Sequence, residues 1–149
     1  MIDKKYVGKI FAPVVADVEV WQLKFFAKAV GETNPIHFDE AAALAAGYRS
    51  IVAPPTYSCT LSCAVPDPFA KFIAIGMNLQ NILHAQQRFE YFTPICAGDR
   101  LVFESTIVEI FDKRAGAIQF VIEEATATNQ LGQLTTRIRQ TIVERARAG

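Results

Sequence analysis

A chain of 149 residues, 51% apolar and 20% charged, is ordinary globular material with enough apolar content for one domain and a buried core. Fifteen basic side chains balance fifteen acidic ones, which argues against the strong field that draws nucleic acid or an anionic membrane surface. No stretch approaches the roughly 18 apolar residues of a membrane span, and "MIDKKYVGKIF" lacks the apolar run of a signal peptide.

Residues 18–30, "VEVWQLKFFAKAV", place Val18, Trp21, Phe25, Phe26 and Ala29 at helical spacing, with Gly31 as the stop. Next comes "GETNPIHFDE" at 31–40. Asn34 is suited to cap a helix and Pro35 to its first position. An alanine-rich helix is expected from there to Gly47, with Asp39 and Glu40 in its first turns. "APPTYSCTLSCAVPDPF" is a third helical segment, opened by Pro54 and Pro55 and closed around Pro66 and Pro68. It is small and apolar on nearly every side, so it is expected to be buried.

The second half alternates. Four strands are predicted, over "NILHAQQRFEYF", "DRLVFESTIVEIF", "GAIQFVIEEATATN" and "QLTTRIRQTIVER", the last with a frayed end. Leu101, Phe103, Ile107 and Phe111 are expected on one face of the second; Ile118, Phe120 and Ile122 share a face of the third. Short turns imply antiparallel neighbours. The proline-led helix is the natural cover for the sheet's apolar face. The fold class is α+β, an antiparallel sheet wrapped around a long central helix, with residues 1–149 as one domain. Cys59, Cys63 and Cys96 give no disulfide framework and no metal-ligand spacing; they read as core thiols of a protein in a reducing, cytoplasmic setting.

By residue type alone, Glu32 and His37 are either polar members of a turn or a carboxylate–imidazole pair. A resemblance weighs on this choice. "AVGETNPIHFDEAAALAAGY" resembles the hydratase motif of the MaoC-like dehydratases and R-specific enoyl-CoA hydratases, with Gly31, Asn34, Pro35, Ile36 and His37 matching. Glu32 stands where that family usually has Asp. "SIVAPPTY" and "LHAQQRFEYFTPICAGDRL" resemble the branch related to the dehydratase domain of fungal-type fatty acid synthases. The resemblance implies a hot-dog fold that pairs into dimers. It also implies an acyl-CoA or acyl-carrier thioester as partner and no cofactor or metal.

Its implied chemistry is hydration of trans-2-enoyl thioesters to (3R)-hydroxyacyl thioesters, or the reverse. Glu32 is then the general base and His37 orients or shares the proton, the pair facing a tunnel under the sheet. Asn34 fixes the turn. The family's oxyanion N–H falls near position 54, where Pro54 and Pro55 have none, so Thr56 and Tyr57 are the first donors. Ser62 is a supporting residue on the same helix, or else a hydroxyl bonded to backbone. His84 reads as a strand-face residue. Arg49, Lys71 and Arg88 are surface charges or phosphate contacts, and "FAKFIAIGM" is either tunnel lining or core. Two other readings stay open. One is a non-catalytic, acyl-holding half of a heterodimer rather than a homodimer. The other is a hot-dog thioesterase, which the absence of Asp or Glu at 56–65 disfavours.

Overall fold

The computed structural model describes residues 2–145. Five antiparallel strands form one sheet in the order β1-β3-β4-β5-β2: β1 Val14–Asp17, β2 Ile82–Tyr91, β3 Arg100–Lys113, β4 Ile118–Thr128 and β5 Leu134–Arg145. Four helices accompany it: α1 Val20–Ala29, α2 Glu40–Ala45, α3 Tyr57–Ser62 and α4 Ala70–Ala74. The four predicted strands are present. The frayed end expected after the last lies outside the described residues. Among the described residues, no helix is long and apolar enough to cross a membrane.

Several expectations give way. β1 was not predicted: four residues show too little alternation to register as a strand, yet they pair with β3. β2 and β3 are consecutive but not adjacent, because β2 pairs with β5 at the far edge and residues 92–99 carry the chain across. On β3 the register shifts between Ile107 and Glu109, so Ile110 rather than Phe111 faces the core. Phe111 stacks instead on Phe120, centroids 4.7 Å apart. Phe120 shares its face with Ile118 and Ile122 as predicted, but buried Val121, Glu123 and Ala127 mark the opposite face as the inner one.

The long central helix is two short ones. α3 ends at Ser62, and Pro66 and Pro68 keep Cys63–Phe69 from continuing it. Nor is α3 buried all round: Tyr57, Ser58 and Leu61 are buried, whereas Thr60 and Cys63 are exposed. The core-thiol reading therefore holds for Cys96, whose pKa burial pushes up, and not for Cys63. On α1 the buried stripe is Leu23 and Ala27, while Trp21 and Phe25 are 66% and 71% exposed. Apolar residues occupy most of this helix's circumference, so spacing alone does not choose the stripe.

Two apolar clusters lie on the inner face of the sheet. One joins Leu23, Tyr57 and Leu61 to Leu101, Phe103 and Ile138. The other joins Phe72, Ile75 and Met77 to Ile107, Val121 and Ile142.

Asp99 connects the sheet to the loops. Its side chain is fully buried and accepts two hydrogen bonds from Arg49 Nη2, at 2.9 and 3.0 Å, one from the Cys96 N–H and one from Gln130 Nε2. Its carbonyl accepts the Val18 N–H. Removing a buried, multiply bonded carboxylate strands these donors, although Arg49 is half exposed and regains water. Asp99→Ala is expected to lose about 2–3 kcal/mol in urea denaturation, with an unchanged m-value. An unchanged midpoint would show that this clamp carries no weight.

Candidate active site

The site begins at the end of α1. Gly31 has φ +79°, the Glu32 N–H donates to the Ala27 carbonyl and the Gly31 N–H to that of Lys28. This is a Schellman closure, and it makes Glu32 the first residue whose direction the closure sets. Two residues later Asn34 Oδ1 accepts the Ile36 N–H, capping a 3-10 turn at Pro35–His37. The single helix expected from Asn34 is thus a turn and then α2, which has its own cap where Asp39 Oδ1 accepts the Ala42 N–H.

The turn buries His37. Its Nδ1 lies 2.8 Å from the Val52 carbonyl, so Nδ1 carries the hydrogen. Nε2 therefore presents its lone pair when the ring is neutral, and it points at Glu32 Oε2, 3.9 Å away. Val52 is itself held: its N–H donates to the Ile36 carbonyl, and its neighbours Ile51 and Ala53 bond to Ala97 and Ile95. Glu40 Oε2 adds bonds from Ser50 Oγ and the Ile51 N–H. A backbone carbonyl as partner for the imidazole has no side-chain signature, so the sequence shows no trace of it.

At 3.9 Å, Glu32 and His37 do not bond directly. With the ring neutral and Glu32 ionised both atoms are acceptors, and the spacing would allow a water beside the gap to donate one hydrogen to each. Its lone pairs would then face outward.

The other named residues are placed as follows. The Tyr57 N–H is taken by the Pro54 carbonyl, and its phenol donates to Gln22 Oε1 at 3.0 Å; burial raises the phenol's pKa. That N–H is therefore committed within the chain. Thr56 is exposed at the start of α3. Ser62 donates to the Cys59 carbonyl, as a helix hydroxyl bonded to its own backbone does. Arg49, Lys71 and Arg88 pair with Asp99, Glu123 and Glu90. Among the described residues, no three His, Cys, Asp or Glu side chains converge as metal ligands would.

A cavity of about 550 Å³ opens between α3, α4 and the sheet, lined by Cys59, Ser62, Phe69, His84 and Ile138 among others. "FAKFIAIGM" serves both purposes: Phe69, Ala70 and Lys71 line the cavity, while Ile75 and Met77 are core. Neither Glu32 nor His37 lines it. A cavity lies against the inner face of the sheet, but within one chain the pair expected to face a tunnel there does not line it.

A curled antiparallel sheet over short central helices, with a capped turn carrying a carboxylate and an imidazole, defines a hot-dog protein of the MaoC-like hydratase and dehydratase group. Residues 5–137 match the family described as FAS1-like, dehydratase domain region, and the chain belongs to that family. A UPF0336 protein of Saccharopolyspora erythraea is 33% identical over 149 residues, covering 99% of this chain and 94% of that one. The HadBC complex of Mycobacterium tuberculosis, a (3R)-hydroxyacyl-ACP dehydratase, contains a chain of similar structure. It superposes with a TM-score of 0.82 at 29% identity, over 96% of this chain and 99% of that one. A longer MaoC-like dehydratase superposes with a TM-score of 0.83 at 27% identity, over 95% of this chain and 42% of its own length.

The left-handed Gly31 generates a prediction. A Cβ there meets nothing within 4 Å, so Gly31→Ala carries backbone strain without a clash. The expected loss is about 1–2 kcal/mol in thermal or urea unfolding. Stability equal to wild type would show that the closure relaxes to another geometry.

Proposed function

We propose that this chain is a hydro-lyase that interconverts trans-2-enoyl and (3R)-hydroxyacyl thioesters of CoA or an acyl carrier. The observation that carries the reading is the Glu32–His37 gap, with the imidazole locked by Val52 in the tautomer that accepts from water. Hydration needs a water whose lone pair is free to attack Cβ, and two acceptors that hold its hydrogens orient it in that way. As the C–O bond forms, the water O–H breaks and its proton passes to Glu32. The proton held by the pair is then delivered to Cα, and dehydration is the reverse. Thr56 is the remaining backbone donor for the thioester oxygen, since the Tyr57 N–H is engaged. Asn34 acts by holding the turn's shape.

The functional unit in this proposal is a dimer. Within one chain the catalytic pair and the cavity do not adjoin, and β2 is a ten-residue edge strand at the rim of the sheet. A second hot-dog subunit, a copy of this chain or a relative, would complete the path between pair and cavity. The same separation favours one alternative, in which this chain chiefly holds the acyl group for a partner's catalytic pair. The thioesterase reading finds no support in α3, "YSCTLS", which offers no acid.

Crotonyl-CoA hydration by the purified chain tests the proposal. Glu32→Gln and His37→Ala are each expected to lower kcat/KM by roughly 10²–10⁴-fold. Glu32→Asp keeps the charge on a shorter arm and is expected to retain more activity than Glu32→Gln. Near-normal rates in both Glu32→Gln and His37→Ala would reject the pair. Turnover that appears only on adding a related subunit would establish the acyl-holding role.

A further inference from the structure

The cavity is lined mainly by apolar side chains, yet its floor is crossed by polar ones. Three inward-facing residues on three neighbouring strands form a polar row across its floor. Glu123 on β4 pairs in register with Gln140 on β5, which pairs with Gln87 on β2. The rows on either side are mostly apolar, Ala125 and Ile138 on one and Val121 and Ile142 on the other, with Ser105 and His84 at their ends on β3 and β2. Strand pairing uses backbone groups, so nothing in the sheet demands polar side chains at this level. The inner face of a covered sheet is the costliest place to put them.

Glu123 is the charged end of the row, its side chain 1% exposed. Lys71, on α4 at the cavity wall, donates to Oε1, and Gln140 Nε2 donates to Oε2 at 2.6 Å. Gln87 Nε2 donates to Cys59 Sγ at 3.1 Å. A thiol sulfur is a weak acceptor, so Gln87 has little to lose by turning to a better one. The carboxylate has lone pairs left after one bond to each oxygen, and each amide keeps a carbonyl and a second N–H. The row therefore offers donors and acceptors together, with its one negative charge already countered by Lys71.

We propose that this row selects acyl thioesters whose chain carries an uncharged hydrogen-bonding substituent, a hydroxyl being the simplest, over plain alkyl chains. An alkyl chain lying across Glu123, Gln140 and Gln87 displaces their water and returns no hydrogen bond. A hydroxyl both donates and accepts, and replaces that water. Lys71 and Glu123 already neutralise each other, so a charged chain would be desolvated there without a free counter-charge in the row, and the neutral class fits. This inference rests on the cavity's role as acyl site in the function proposed above.

Isothermal titration of the wild-type protein with decanoyl-CoA and with decanoyl-CoAs hydroxylated at successive positions along the distal chain tests it. These saturated thioesters are not hydrated, so the readout is independent of turnover. At least one hydroxylated chain is expected to bind about 3–10-fold more tightly than decanoyl-CoA. Gln87→Leu, which gives up only a bond to sulfur, is expected to shrink or invert that preference while its melting temperature stays near wild type. Decanoyl-CoA binding as tightly as every hydroxylated chain, or no binding of any, overturns the proposal. So does a preference unchanged in both Gln87→Leu and Gln140→Leu, which would make the row a purely structural tether between α4 and β4. Failure of the hydratase assay with the chain preference intact would remove the catalytic reading and leave the polar acyl site standing.

Discussion

A buried carboxylate must be satisfied by whatever surrounds it, and Asp99 imposes that requirement on much of this fold. Its partners come from separate places: Arg49 before the 50–53 segment, the Cys96 N–H in the crossing loop and Gln130 in the last turn. Satisfying one side chain brings these loops together at the same end of the sheet. The 50–53 segment then lies where Val52 meets the 3-10 turn, and its carbonyl sets which nitrogen of His37 carries hydrogen. The orientation of the imidazole thus depends on a charge that takes no part in the proposed reaction.

The elements legible in the sequence are those whose causes are local. Gly31 stops α1 as expected, whereas Asn34 and Pro35 open a 3-10 turn rather than the alanine-rich helix, and Asp39, expected in that helix's first turn, caps it. The four long strands show through because alternation repeats over ten or more residues. What stayed hidden is nonlocal. The bulge after Ile107 exchanges the faces of β3, and no residue type there announces it. The placement of β2 beside β5 follows from the pairing order of the whole sheet, not from the loop that leaves β2.

The candidate site divides along the same line. Glu32, Asn34 and His37 form a short motif and were visible together, whereas Val52 contributes a carbonyl that any residue would have. Thr56 and Tyr57 illustrate the limit of counting available N–H groups. The turn that opens α3 takes the Tyr57 N–H for Pro54, a consequence of backbone geometry rather than residue type. Glu123 had a faint signal: two successive glutamates in a strand must place one on each face. Only the register shows that the inner one begins a row continued by two glutamines.

The break between α3 and α4 has a consequence for how such a protein diverges. Pro66 and Pro68 hold the helical layer open, and the cavity lies beneath the gap. Its volume is therefore governed by backbone restriction as well as by the residues on its walls. Descendants of this sequence need not rebuild the lining to accept a different substrate. Replacing the prolines would let the two helices grow towards each other and shorten the space, while the turn that carries Glu32 and His37, on a separate segment of chain, is left untouched. In the proposed enzyme, chain selection and chemistry can then be inherited as independent traits.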